Sequence, residues 1–375
     1  MGTLSVRGIT KKYGNVTAID HLDFDVHDGE FFVILGPSGA GKTTTLKSVA
    51  GLVDLEEGSV SVNDIELTLV EPYHRNIAMA FESYALYPNK TVRQNLASPL
   101  KSGRNGHHTA QEIEERIQTV TKTLGIDHLL DRFPKEVSNG QRQRTALGRV
   151  LVRPADIYLL DEPLSHLDAK LRATMRAELK AIAQNSNTTT IYVTHDYQEA
   201  LALADRIAVL RRGTFVQIGT PVEIWREPID SFVAKALGQP EINVIEAVIA
   251  NGRITALEGA IDVANPAGFA EGNVRLGLRP SELVPGIARP GGIQITGTVR
   301  IAERLGRDVE LDVTIGDGHL IVVTDSSKAV AEGKSITLTI DVARVHVFAG
   351  GEPGEDTPRL GSAQQASTVT KEVEQ

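Results

Sequence analysis

Short apolar runs at residues 31–35 (FFVIL), 157–160 (IYLL) and 191–193 (IYV) alternate with longer segments whose apolar residues recur at helical spacing. Residues 110–124 and 171–182 belong to the second kind and carry their charges on the opposite face. Uninterrupted apolar strands need cover on both faces, and the intervening helices can supply it, so this part predicts an α/β fold. Near residues 237–241 the texture changes. Beyond Pro240, short strands at 274–278, 293–301 and 336–342 are separated by Gly and Pro turns, which predicts a small all-β barrel or sandwich, with room for two similar barrels. After Gly350 the sequence is polar without sustained apolar periodicity, and residues 351–375 read as a disordered tail.

Composition narrows the class. At 375 residues the chain has room for two or three domains, each with its own core. A formal net charge of −9 argues against a generic nucleic-acid binder, which needs a basic surface to displace phosphate counterions. The chain has no cysteine, which removes disulfides, thiolate metal sites and cysteine nucleophiles. No apolar run reaches the roughly 18 residues of a membrane span, and the N-terminus lacks a signal-like apolar core. A cytosolic chain is expected, with any membrane role exercised through a partner.

The strongest chemical signal is GPSGAGKTT at 36–44, between the FFVIL strand and a helix-forming TTLKSVAGL. This is the strand, loop and helix context of a P-loop. Glycines at 36, 39 and 41 let backbone N–H groups converge on a phosphate, and the helix N-terminus adds its positive dipole end. Lys42 would neutralise the β and γ phosphates, and the Thr43 hydroxyl would face Mg²⁺. A glycine turn before an ordinary helix is the plainer alternative. The guanine-specifying N-K-x-D fails at Asn89-Lys90-Thr91-Val92, which favours ATP over GTP.

A second signal, IYLLDEP at 157–163, ends a buried strand in two acids. An acid pair in that place often caps a helix. With a P-loop upstream, Asp161 falls near the Mg²⁺ shell and Glu162 where it could orient or deprotonate a water.

With these motifs in place the chain resembles the ATP-binding cassette (ABC) ATPases over residues 1–238. VSNGQRQRTALGR at 137–149 resembles the family's signature loop and helix, SHLD at 165–168 its D-loop, and TIYVTHD places His195 as the switch histidine. Tyr13 matches the aromatic that stacks on adenine, and FESYALYP at 81–88 falls at the Q-loop. The likeness is strongest to ATPase subunits of bacterial sugar importers of the maltose and glycerol-phosphate type. It extends to about Gly350 through RLGLRPSEL, GTVRIAERLGRDVELDV and ARVHVFAGG, which resemble their regulatory β domain.

The resemblance implies an α/β P-loop ABC ATPase domain over 1–238, with a helical subdomain at about 83–155. An OB-like β regulatory domain over 239–350 and the tail over 351–375 would follow. It implies ATP contacts from Tyr13, Gly36, Pro37, Ser38, Gly39, Ala40, Gly41, Lys42, Thr43, Thr44 and Glu82. Thr43, Asp161 and Glu82 would face Mg²⁺, and Lys42, Glu162 and His195 would carry the catalysis. Two cassettes would close head to tail, so that Ser138, Gly140 and Gln141 serve the partner's nucleotide, with Asp168 in the D-loop. The implied partners are a second ATPase subunit, two transmembrane permease subunits and, indirectly, a solute-binding protein. The implied location is the cytoplasmic face of the bacterial inner membrane. A permease helix would dock by residues 82–90, where Tyr84 and Tyr87 read equally as apolar anchors or as packing against the helical subdomain.

Two positions depart from the family pattern. Glu82 stands where glutamine is usual, and an ionised carboxylate accepts hydrogen bonds but cannot donate them. Asn139 stands where LSGGQ has glycine, placing a side chain at a point of close backbone approach. If the partner is a different cassette, the two act on different nucleotide sites, and the expectation is an importer with two distinct ATPase subunits. They also keep open a low-turnover, nucleotide-gated subunit, while a non-transport ABC ATPase is disfavoured by the lack of a second P-loop, a zinc module or a coiled-coil insertion. His107 and His108 read as a solvated loop, since no H-E-x-x-H spacing exists.

Overall fold

The apolar runs become the centre of a parallel sheet. The computed structural model describes residues 2–81, 86–101, 108–165, 167–186, 188–286, 292–352 and 354–364. Glu82, Tyr84, His107, His166 and residues 365–375, all read above, lie outside the described residues. Contacts divide the chain into two units, Met1–Pro221 and Val222–Gln375.

In chain order the first unit holds β1 (Leu4–Tyr13), β2 (Val16–Val26), β3 (Phe31–Leu35), α1 (Lys42–Val49), β4 (Glu57–Val62), β5 (Ile65–Glu66), β6 (Ile77–Ala80), α2 (Val92–Ala97) and α3 (Ala110–Thr123). It continues with α4 (Asn139–Leu151), β7 (Ile157–Asp161), α5 (Ala169–Ser186), β8 (Thr189–Thr194), α6 (Tyr197–Leu203), β9 (Arg206–Arg211) and β10 (Thr214–Gly219). One sheet has the order β10-β9-β3-β8-β7-β6, with every pair but β10–β9 parallel. All residues of β3, β7 and β8 are buried, as a parallel sheet covered on both faces requires. An antiparallel sheet, β2-β1-β4-β5, shares its core, in which Val6, Ile9 and Val60 meet Leu46, Ile34 and Leu159. Phe24 stacks on Phe32 at 5.5 Å between ring centroids and meets the edge of Phe215 at 5.3 Å. Because β3, β7 and β8 run in parallel, the loops after them leave one edge of the sheet together.

Each of α2, α3 and α4 begins with a capping box, Thr91 with Gln94, Thr109 with Glu112 and Ser138 with Gln141. Gly148 lets these helices approach. A Cβ there would lie 3.0 Å from both Leu96 Cδ2 and Leu124 Cδ1, closer than packed carbon atoms tolerate.

From α7 (Pro221–Arg226), whose first residue ends the first unit, the second unit continues with α8 (Ser231–Ala236), β11 (Asn243–Ala250), β12 (Arg253–Ala256), β13 (Ile261–Ala264), β14 (Gly272–Leu278), β15 (Val284–Pro285) and β16 (Gly292–Leu305). Then come β17 (Asp308–Ile315), β18 (Gly318–Asp325), β19 (Ser335–Asp341), β20 (His346–Ala349) and β21 (Arg359–Ser362). Two antiparallel sheets, β13-β12-β11-β14-β20-β21 and β15-β19-β16-β17-β18, share one apolar core that includes Ile249, Leu276, Val313 and Leu338. Beyond Pro240 the all-β expectation holds, while α7 and α8 precede it. Asn243 joins the sheets through its amide, donating to Leu278 O at 3.0 Å and Ile321 O at 2.8 Å and accepting from Ile321 N at 2.8 Å. Buried Arg279 lies 3.7 Å from the Trp225 ring centroid and donates to Trp225 O and Leu237 O, at the C-terminal ends of α7 and α8.

The polar segment after Gly350 corrects the sequence expectation. Residues 359–362 form β21 against β20, with Ala363 fully buried and Leu360 packed on the core. Arg275 donates to the carbonyls of Gly351, Glu352 and Glu355 at 2.7, 2.7 and 2.9 Å. Backbone pairing and one buried guanidinium thus order a stretch that hydrophobic periodicity, with two apolar residues to work from, did not reveal.

Candidate functional site

The loop after β3 is shaped by what glycine leaves out. Gly41 has φ +109°, and a Cβ there would sit 2.4 Å from Ala18 O. At Gly36 a Cβ would lie 2.5 Å from Leu210 O. The loop is therefore pressed against backbone at both ends, and α1 opens at Lys42 with its first N–H groups facing the loop.

Lys42 is buried, and its Nζ donates to Gly36 O at 2.9 Å and Pro37 O at 3.1 Å. It also lies 3.4 Å from Glu162 Oε1. Thr43 Oγ1 donates to Asp161 Oδ1 at 3.0 Å, so the last residue of β7 meets the first turn of α1. Glu162 follows at φ +45°, a left-handed backbone that is uncommon for glutamate. The geometry is held from both sides, since Glu162 N donates to Val193 O at 3.1 Å while Ser165 Oγ donates to Glu162 O at 3.0 Å. The turn aims the carboxylate between two partners, Lys42 at Oε1 and His195 Nδ1 at 2.8 Å from Oε2.

Five residues expected to act together thus form two contacting sets, Lys42–Glu162–His195 and Thr43–Asp161, held side by side because Lys42 precedes Thr43 and Asp161 precedes Glu162 in the chain. Others stand apart. Tyr13 ends β1 half exposed, with the Lys11 ammonium 5.4 Å from its ring centroid. Ser138 Oγ accepts from Gln141 N, and Gln141 Oε1 accepts from Ser138 N at 2.8 Å, so both side chains are spent on starting α4. Asp168 Oδ1 accepts from Leu171 N at 2.9 Å, an interaction that stabilises the start of α5. Asn139 opens α4 without a left-handed backbone, and its Oδ1 accepts from the Arg142 guanidinium. Glycine's conformational freedom is therefore not required at 139. Tyr87 is half exposed, with the Lys90 ammonium 4.4 Å from its ring centroid, and buried Asn95 bonds its backbone N–H and carbonyl.

Several supporting residues escaped the sequence reading. Gln143 Nε2 donates to Pro163 O at 2.5 Å, tying α4 to the turn after β7. Asp196 Oδ1 accepts from Gln198 N at 2.8 Å and caps α6. Glu199 is buried and accepts from the hydroxyls of Tyr192 and Thr194 at 2.8 Å each, and burial pushes its carboxyl up. The D-x-x-E spacing of Asp196 and Glu199 at a helix start was the available signal.

A parallel sheet with a glycine loop over a helix N-terminus, a buried lysine and a strand-end acid pair facing a histidine defines a P-loop ATPase cassette. The ABC transporter family model matches residues 19–165, and the TOBE domain model matches residues 276–348. The trehalose/maltose import ATP-binding protein of Thermococcus litoralis is 39% identical, covering 91% of this chain and 95% of that protein. The sn-glycerol-3-phosphate import ATP-binding protein of Salmonella typhi is 41% identical, covering 95% and 99%. Among solved structures, the dimeric structure of a bacterial ABC transporter cassette superposes with a TM-score of 0.54 at 28% identity, covering 58% of this chain and 98% of that one. The chain belongs to the ABC transporter family, among the ATP-binding subunits of sugar and glycerol-phosphate importers.

Proposed function

We propose that this chain hydrolyses ATP to drive import of a sugar, polyol or related solute through a membrane permease, by head-to-tail closure of two cassettes around two nucleotides. The observation that carries the mechanism is the placement of Glu162, with one oxygen toward Lys42 and the other on His195. Lys42 and the amides of 36–44 hold the β and γ phosphates, Glu162 orients and deprotonates the attacking water, and His195 holds the Glu162 carboxylate in place. Tyr13 stacks on the adenine, and Ser138, Gly140 and Gln141, at the N-terminus of α4, face the nucleotide of the partner cassette, with Asp168 beside them.

The adjacent Thr43 hydroxyl and Asp161 carboxylate fit Mg²⁺, which takes one or two protein oxygens and completes its shell with phosphate oxygens and water. When bound, the ion neutralises charge developing on the phosphates. Glu82 is proposed to join this set.

The assembly comprises this chain, a second ATPase subunit, two permease subunits and, through them, a solute-binding protein, with this chain peripheral on the cytoplasmic face of a bacterial inner membrane. No helix among the described residues is long and apolar enough to cross a membrane, so anchorage falls to the permease. We favour two different cassettes because Glu82 and Asn139 affect different nucleotide sites. Affinity purification of the tagged chain from detergent-solubilised membranes tests this assembly. Recovery of a permease pair with one copy of this chain and one other cassette supports it. Two copies of this chain alone would overturn the heterodimer, and absence of any permease would overturn the transport role.

A further inference from the structure

We infer that Arg172 is a positioning residue for ATP hydrolysis, transmitting the place of Ser165 and Leu167 to the Glu162–His195 pair; this rests on the ATPase reading above. Arg172 lies in the first turn of α5. Its Nη2 donates to Leu167 O at 3.2 Å and reaches Ser165 O at 3.5 Å. Its Nη1 donates to Asp196 Oδ2 at 3.2 Å, and its Nε faces Glu199 Oε1 at 3.9 Å, beyond hydrogen-bond range. One planar guanidinium therefore holds two loops that leave the same edge of the sheet.

The contacts close into a ring. Ser165 donates through its backbone N–H and hydroxyl to Glu162 O, and Arg172 reaches Ser165 O and then Asp196. Asp196 is the neighbour of His195, whose Nδ1 returns to Glu162 Oε2 at 2.8 Å. A narrow cavity lies within the ring, lined by the same residues with Thr194 and Glu199. Asp196 is fixed on its other side, since Oδ1 caps α6 and its N–H donates to Thr194 Oγ1 at 2.9 Å. Among the described residues of this ring, the joint between Ser165 and Leu167 and the histidine turn, apart from Glu162 itself, is the Arg172 fork. Three carboxylates, Glu162, Asp196 and Glu199, crowd this region, and Arg172 is the cation set between the last two. Without it, Asp196 and Glu199 repel and the histidine turn loses its brace. Lysine would keep the charge but cannot span Leu167 O and Asp196 with a rigid fork. When a second cassette presses on the loop, the shift reaches His195 through this guanidinium.

The test is steady-state ATP hydrolysis by the full chain in its assembled complex, comparing wild type with Arg172→Gln, Arg172→Lys and Asp196→Asn. Arg172→Gln is expected to lower kcat at least tenfold while KM and the affinity for a fluorescent ATP analogue stay within twofold. Arg172→Lys should recover part of the loss. Arg172→Gln combined with Asp196→Asn should lose no more than the worse single variant, because both break the same link. Wild-type kcat in a folded Arg172→Gln chain, a loss confined to KM, or multiplicative losses in the double variant would each overturn the proposal. If Arg172→Gln does not fold, Arg172→Lys decides alone, a kcat drop of threefold or more at constant KM supporting the role and an unchanged kcat overturning it. Wild-type hydrolysis no faster than that of Glu162→Gln overturns the ATPase reading itself, and is seen before any Arg172 variant is compared.

Discussion

Glu162 Oε2 lies 2.8 Å from His195 Nδ1, joining the turn after β7 to the turn after β8 at the edge of the parallel sheet. The contact depends on the left-handed backbone of Glu162, which swings its carboxylate out of the strand direction. Replacing His195 by alanine frees that carboxylate without touching the phosphate loop. His195→Ala is expected to lower kcat about a hundredfold, in the range of a positioned acid–base group, with ATP affinity within a few-fold of wild type. Comparing single-turnover hydrolysis with equilibrium nucleotide binding checks this, and a loss of affinity as large as the loss of rate would contradict it.

Thr43→Val keeps the shape of the side chain and removes the hydroxyl that bonds Asp161. The Mg²⁺ concentration for half-maximal hydrolysis should rise about tenfold or more, while nucleotide binding in the presence of EDTA stays within twofold of wild type. A Mg²⁺ titration reads this out, and an unshifted midpoint would contradict the assignment.

The first unit was largely legible because its signals are local. FFVIL, IYLL and the P-loop each occupy consecutive residues, and the observed strands and helices begin within a few positions of those expected. The supporting contacts were not legible, since Gln143 reaching Pro163 and Glu162 reaching Val193 are pairings of distant segments that no periodicity encodes. The segment at 354–364 was misread for a related reason, its order coming from backbone pairing with β20 and from Arg275. Glu82, the departure that most affects the proposed mechanism, lies outside the described residues, so its role rests on the motif alone.

His346 is buried between Arg279 and Arg359, and burial with those two cations lowers its pKa to about 3. Arg359 Nε donates to its Nδ1 at 3.2 Å, which requires the neutral ring. The folded form therefore binds fewer protons than the unfolded form between pH 3 and 6.5, and stability falls as pH drops through that window. At pH 5 the penalty is about 2 kcal/mol, from 1.36 kcal/mol per unit below 6.5. Trp225, the single tryptophan, stacks on Arg279 in the same unit and reports its unfolding. Denaturant titrations at pH 7 and pH 5 should show a smaller pH effect in His346→Gln than in wild type. Equal pH effects would contradict the buried, neutral histidine.

Asn243 takes the place of a neighbouring strand for Ile321, serving both its N–H and its carbonyl. Asn243→Ala leaves those two groups unpaired near the core, at a cost of about 1–3 kcal/mol. The same Trp225 signal measures it, and a change below about 0.5 kcal/mol would show that water replaces the amide without penalty.

In the proposed mechanism Glu162 activates the water that attacks ATP. Glu162→Gln preserves the size and the hydrogen-bonding reach of the side chain but removes its capacity to take a proton. The decisive measurement is single-turnover ATP hydrolysis by the assembled complex, with nucleotide occupancy followed in parallel. The expected result is a rate at least a hundredfold below wild type in Glu162→Gln, with ATP still bound at wild-type affinity. A wild-type rate no higher than that of Glu162→Gln would contradict the account.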